Sequence, residues 1–186
     1  IGGDRPADVA DAAAARVDDG LTALKMNATA EFRRLEPPGA VEDAANRLAA
    51  VRDRVGEDVN IGVDFHGRVS TPMAKRLATA LEPYGPMFLE EPVLPAHLDA
   101  LPEIAQQAPV PIATGERLFH RSTFKPILEA GAVDVIQPDL SHAGGITEVY
   151  KIATMAETYD VALAPHCPLG PIAFAACLQI DTCVPN

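Results

Sequence analysis

The sequence contains no apolar stretch near the roughly 18 residues that a membrane-spanning helix requires. It opens with no charged-then-apolar leader. Positive charge is scarce: 15 Lys and Arg stand against 26 Asp and Glu, a net charge of −11. That balance argues against nucleic acid and anionic membrane surfaces as partners. Cysteine is sparse and odd in number. Cys167, Cys177 and Cys183 form neither a CxxC pair nor a disulfide framework, so a reduced, cytoplasmic setting is the expectation. No GxGxxG occurs, and no GxxxxGKS or GxxxxGKT, so the glycine-rich phosphate loop of a doubly wound nucleotide-binding sheet is absent. Without an HxxxH pair or a cysteine cluster, zinc lacks its usual ligands.

What is present is a repeat. Asp64, Glu90, Glu116, Asp139 and His166 each close a short apolar run, at spacings of 26, 26, 23 and 27 residues. Each interval has room for one strand, one helix and two loops. Hydrophobic residues make up 48% of the chain, enough for a sizeable core. Alternating strands and helices with buried apolar strands imply an α/β fold with a parallel sheet. A chemically active residue at the C-terminal end of successive strands is the pattern of a TIM-type (β/α)8 barrel. A complete barrel needs about 250 residues, and this chain has 186. The expectation is therefore one domain, 1–186, forming a partial barrel of six parallel strands with helices outside. The start at Ile1, without Met, suggests a missing N-terminus.

Taken in order, the pattern predicts a helix over 6–19 stopped at Gly20, a strand over 22–26 and a loop over 28–39. Val41, Ala44, Ala45, Leu48, Val51 and Val55 recur at helical spacing. Further helices are expected over 70–82, 97–107, 122–130, 145–159 and 171–180. Strands are expected over 59–63, 87–89, 110–114, 133–137 and 161–164.

Any single strand-end acid is commonly a helix cap or half of an ion pair. Three of them, Asp64, Glu90 and Glu116, on neighbouring strand ends would repel strongly unless a cation lay among them. All-oxygen ligands select Mg²⁺, with Mn²⁺ as an alternative. His66 lies two residues after Asp64, on the same side if the segment is extended. Asp139 and His166 occupy consecutive strand ends, and a carboxylate beside an imidazole fixes its tautomer and makes it a better base. Two histidines on opposite sides of a metal suit one base and one acid. Lys25 and Asn27, at the end of the first strand, could contact a substrate anion or hydroxyl. His97, His120 and His142 read as ordinary surface or core histidines, His142 least securely because it sits in a strand-end loop.

The runs Asp64-Phe-His-Gly-Arg68, Glu90-Glu-Pro92, Gly115-Glu-Arg117, Gln137-Pro-Asp-Leu-Ser-His-Ala-Gly-Gly-Ile146 and Ala164-Pro-His-Cys-Pro-Leu-Gly-Pro171 carry a resemblance. From about Leu24 onward the chain resembles the mandelate racemase subgroup of the enolase superfamily, and most closely its branch that dehydrates D-galactonate. The resemblance implies Asp64, Glu90 and Glu116 as Mg²⁺ ligands, His166 with Asp139 as the base, and His66 as the acid. It implies loss of the C2 proton and the C3 hydroxyl from a sugar acid, giving a 2-keto-3-deoxy acid. It also implies a homo-oligomer at full length. The family's N-terminal capping domain and its first and eighth barrel strands have no counterpart here. Where the family often carries the second lysine of a Lys-x-Lys pair, this chain has Asn27. That change and the presence of His66 favour dehydration over racemisation or epimerisation, which is the alternative reading. A non-catalytic metal-binding relic is the other.

Overall fold

The computed structural model describes residues 1–3, 5–27, 29 and 32–186. It divides into two compact units, Ile1–Leu94 with Gln107–Pro111, and Pro95–Gln106 with Ile112–Asn186.

In the first unit, β1 (Ala23–Asn27), β2 (Asn60–Asp64) and β3 (Phe88–Glu90) are parallel neighbours. Helices α2 (Pro38–Val55) and α3 (Thr71–Leu81) make the crossovers that parallel pairing demands. Helix α1 (Pro6–Asp18) precedes β1 and ends before Gly20, where φ is +94°. The apolar stripe of α2 predicted from spacing is the buried one: Val41, Ala44, Ala45, Leu48 and Val51. The helix starts at Pro38, three residues before its first apolar position, because Pro37 is extended and Pro38 suits the first turn. Of the loop expected over 28–39, positions 28, 30 and 31 lie outside the described residues. Each fully buried Leu or Ile of this core, such as Leu48, Ile61, Leu77 and Leu89, contributes about 1.5–3 kcal/mol. Gly62 is required where it stands, since a Cβ there would lie 2.7 Å from the Phe88 ring.

Arg52 is a buried charge that the sequence did not flag, 7% exposed on α2. Its guanidinium donates to the carbonyls of Tyr84, Gly56, Val59 and Gly85 at 2.7–3.1 Å. The fork geometry of arginine lets one side chain tie the C-terminal turns of two helices together.

In the second unit, β4 (Ile112–Thr114), β5 (Val135–Ile136) and β6 (Ala162–Leu163) are likewise parallel. Helix α4 (Leu101–Gln107) follows a 3-10 stretch, Pro95–Ala100, that breaks at His97. The helix expected from residue 97 therefore begins four residues later. Helices α5 (Arg121–Glu129), α6 (Gly145–Glu157) and α7 (Pro171–Asp181) complete the unit. The strands are shorter than the apolar runs suggested, and prolines border them. Pro111 precedes β4, while Pro138 and Pro165 follow β5 and β6, and a proline has no N–H for the ladder. Beyond the prolines only the bridge between Asp139 and His166 continues the pairing. Among the described residues, no helix is long and apolar enough to cross a membrane.

Candidate functional site

Each unit carries one cluster of chemically active side chains. In the first, strand register sets the order. Asn27 lies opposite Asp64, and Asp64 opposite Glu90, so three strand ends form a row. Asp64 and Glu90 are 3% and 0% exposed. The Lys25 ammonium sits 2.5 Å from Glu90 Oε1 and 3.5 Å from Asp64 Oδ2, so one cation serves two buried anions. Asn27 is exposed on the same face of β1 as Lys25.

His66 also reaches Asp64. Its backbone N–H donates to Asp64 Oδ1 at 2.8 Å, and its Nε2 lies 3.1 Å from Oδ2. The route differs from the expected one. β2 stops at Asp64, and His66 has φ +51°. A turn, rather than the alternation of an extended segment, places the imidazole beside the carboxylate. Glu91 is left-handed too, with φ +47°, and is 1% exposed. Such non-glycine residues cost about 1–3 kcal/mol each and persist only where the surroundings over-determine them. Here the ties are Phe65 N–H to the Glu90 carbonyl, 2.9 Å, and Gly67 N–H to that of Glu91, 2.7 Å. They lock the two strand-end turns to each other.

The second cluster is an acid–imidazole–acid chain. His166 Nδ1 lies 2.9 Å from Asp139 Oδ2, and its Nε2 lies 3.3 Å from Glu116 Oε2. Asp139 is 2% exposed and is held by the Ser141 N–H at 2.7 Å. Glu116 also meets Arg117 at 3.3 Å. Gly115, just before it, has φ +145°, and a Cβ there would lie 2.8 Å from the Gln137 backbone nitrogen. Glycine thus lets β4 pass close to β5 at the point where Glu116 leaves the strand. His142, read from sequence as an ordinary histidine, lies 4.0 Å from Asp139 and stacks edge-on against Phe119. The i, i+3 spacing from Asp139 across a strand-end turn was the available signal.

The fit of a metal to the first cluster can be judged from its donors. Glu90 Oε2 is buried and has no hydrogen-bond partner among the described residues. An orphaned carboxylate oxygen at a strand end costs about 1–3 kcal/mol unless something completes it. Hard oxygen donors of this kind suit Mg²⁺.

The model of the enolase C-terminal domain-like family matches residues 8–186. The chain belongs to the enolase superfamily. A member of that superfamily from Salmonella Typhimurium is 35% identical, with a TM-score of 0.94 over 98% of this chain and 49% of its own. A candidate dehydratase from Mesorhizobium loti is 36% identical, with a TM-score of 0.94 over 100% of this chain and 50% of that one. A mandelate racemase/muconate lactonizing enzyme from Jannaschia sp. CCS1 is 38% identical, with a TM-score of 0.92 over 97% and 48%. The α/β fold is that of the superfamily barrel, as the strand-end repeat predicts. The chain spans about half the length of these solved structures.

Proposed function

We propose that the protein is the catalytic portion of a Mg²⁺-dependent sugar-acid dehydratase, with D-galactonate as the leading substrate. Superfamily membership supports enzyme status, and a candidate dehydratase is among the similar structures. The observation that carries the reading is the His166–Asp139 pair at 2.9 Å. Asp139 holds Nδ1, so Nε2 is the nitrogen left to take a proton.

In this reading Asp64, Glu90 and Glu116 hold the cation. Bound there, it supplies positive charge for the substrate carboxylate and lowers the cost of charge developing as the C2–H bond breaks. His166 Nε2 accepts the C2 proton. His66 gives its proton to the departing C3 hydroxyl, which leaves as water. The resulting enol takes a proton at C3 and becomes the 2-keto-3-deoxy acid. Asp64, bound to the His66 N–H and beside its ring, sets the orientation of that acid. Lys25 and Asn27 contact the substrate. The same proposal includes a single catalytic domain over 1–186, a cytoplasmic location and a homo-oligomer at full length.

The test uses the complete gene product with Mg²⁺ and a panel of hexonic and pentonic acids, with 2-keto-3-deoxy acids as the readout. Turnover that stops in His166→Asn supports the proposal and names the substrate. No keto acid from any panel member sinks it. Exchange of the C2 hydrogen with D₂O without keto-acid formation would move the assignment to an epimerase.

A further inference from the structure

We infer that Cys167 and Cys177 are a reversible dithiol–disulfide pair, a modification site for peroxide that lies beside the His166 imidazole. Their spacing in the sequence does not announce them. The fold of the second unit brings them together. Cys167 directly follows His166 beyond β6, in the segment that leads to Gly170, and is half-buried. Cys177 and Ile180 are the buried side chains of α7, and Cys177 is 4% exposed. The Cys177 thiol donates a hydrogen bond to the Cys167 sulfur. Cys183 is exposed and lies past the end of α7.

Two thiols in contact, one half-buried and one buried, divide the roles of a redox pair. Cys167 is the one that a solute reaches. As its thiolate it attacks hydrogen peroxide: the O–O bond breaks, an S–O bond forms, and the departing hydroxide leaves as water with the Cys167 proton. Cys177 then attacks the sulfenic sulfur. An S–S bond forms, the S–O bond breaks, and the oxygen leaves as water with the Cys177 proton. Two thiols and one peroxide thus give one disulfide and two waters, and a dithiol reverses the change by exchange. Burial, and then Cys167, push the Cys177 thiol up to about 12. The share of that shift that comes from charge on Cys167 is gone once Cys167 is a neutral sulfenic acid. In reducing compartments, disulfides of this transient kind are redox-sensing.

A disulfide holds its sulfurs about 2.05 Å apart, closer than two hydrogen-bonded thiols. Closing it draws Cys167 toward α7, and His166 is the adjacent residue. The His166–Asp139 contact is 2.9 Å, and the charge of Asp139 also reaches Cys177, so the pair abuts the base and its partner. A misplacement of about 1 Å at such a group costs about 10²-fold in rate. That loss of turnover rests on the dehydratase reading; the disulfide itself does not.

The experiment treats the complete gene product with limiting hydrogen peroxide, alkylates free thiols under denaturing conditions and cleaves before Asp160 and Asp181. That cut leaves Cys167 and Cys177 in one peptide and Cys183 in the next. The expected result is a 160–180 peptide that has lost two hydrogens and carries no alkyl group, and that takes an alkyl group on each cysteine after dithiothreitol. Cys183→Ser should leave this unchanged. Cys167→Ser and Cys177→Ala should each abolish it, and the first, at a half-buried position, keeps the test independent of folding. Turnover of the acid that the panel identifies should fall about 10²-fold on oxidation and return with dithiothreitol, while Cys167→Ser keeps its turnover in peroxide. Two alkylated cysteines after peroxide, a sulfinic acid at Cys167 beside free Cys177, or a disulfide to Cys183 overturns the inference. A disulfide that leaves turnover unchanged overturns its link to His166. A reduced protein that forms no keto acid fails the dehydratase reading alone, and the peptide masses still decide whether the pair exists.

Discussion

The two clusters compensate buried carboxylates in different ways. In the first unit, Asp64 and Glu90 are met by the fixed charge of Lys25, and one Glu90 oxygen has no hydrogen-bond partner among the described residues. In the second, Asp139 and Glu116 are met by the two nitrogens of His166. An ammonium is a permanent cation that a metal can displace, whereas an imidazole can gain or lose its charge at ordinary pH. The first cluster is balanced by a charge that stays fixed, the second by one that an imidazole can gain or lose.

The sharpest way to break this contrast is His166→Asn. The amide can hydrogen-bond to Asp139 but cannot take the C2 proton, so keto-acid formation should fall by about 10²–10⁴-fold or more. An unchanged melting curve would show that the loss is chemical. A variant that retained wild-type turnover would remove the proton-moving role from the second cluster.

A buried charge with neither kind of partner is the control. Arg52→Met leaves four carbonyls without their donor and should destabilise the protein by about 3 kcal/mol, read by urea denaturation. Unlike changes in the first cluster, this loss should be the same with and without Mg²⁺.

Lys25→Met tests the displaceable cation directly. The metal-free protein should lose about 2 kcal/mol, less than for a fully buried pair because Lys25 is 41% exposed. The rise in Tm on adding Mg²⁺ should become larger than in the wild type, because the metal no longer competes with an ammonium. A smaller rise would mean that Lys25 supports the metal instead.

The smallest effect concerns thiols beside the second cluster. Burial, and then the neighbouring Cys167, push the Cys177 thiol up from 9.0 to about 12. It therefore stays protonated below about pH 9, and any stability it lends is present there and lost as pH rises toward 12. Iodoacetamide at pH 8 should label exposed Cys183 well before Cys177, which is 4% exposed, as mass spectrometry of the native protein would show. Fast labelling of Cys177 would add a second proton acceptor to that unit.

Much of this was legible before any coordinates. The apolar spacing on α2 and the strand runs before Asp64 and Glu90 mark elements that hold to within a few residues, because burial follows periodicity directly. The lengths of β5 and β6 were less legible. Their apolar runs begin at Val133 and Val161, but the ladder covers only Val135–Ile136 and Ala162–Leu163, and Pro138 and Pro165, with no N–H to donate, interrupt it before the bridge at Asp139 and His166. The neighbourhood of His66 was anticipated for the wrong reason, since a left-handed residue leaves no mark in an apolar pattern.

By itself the sequence determined the alternation of strands and helices, the strand ends at which the acids and histidines stand, and the family to which the chain belongs. These depend on local periodicity and on residue types at fixed spacing. Only the tertiary structure decided which groups meet. The pairing of Lys25 with Glu90, and of Arg52 with the carbonyls of Tyr84 and Gly85, joins residues far apart in the chain. Such partners are chosen by strand register and helix packing, and a one-dimensional pattern does not contain those distances.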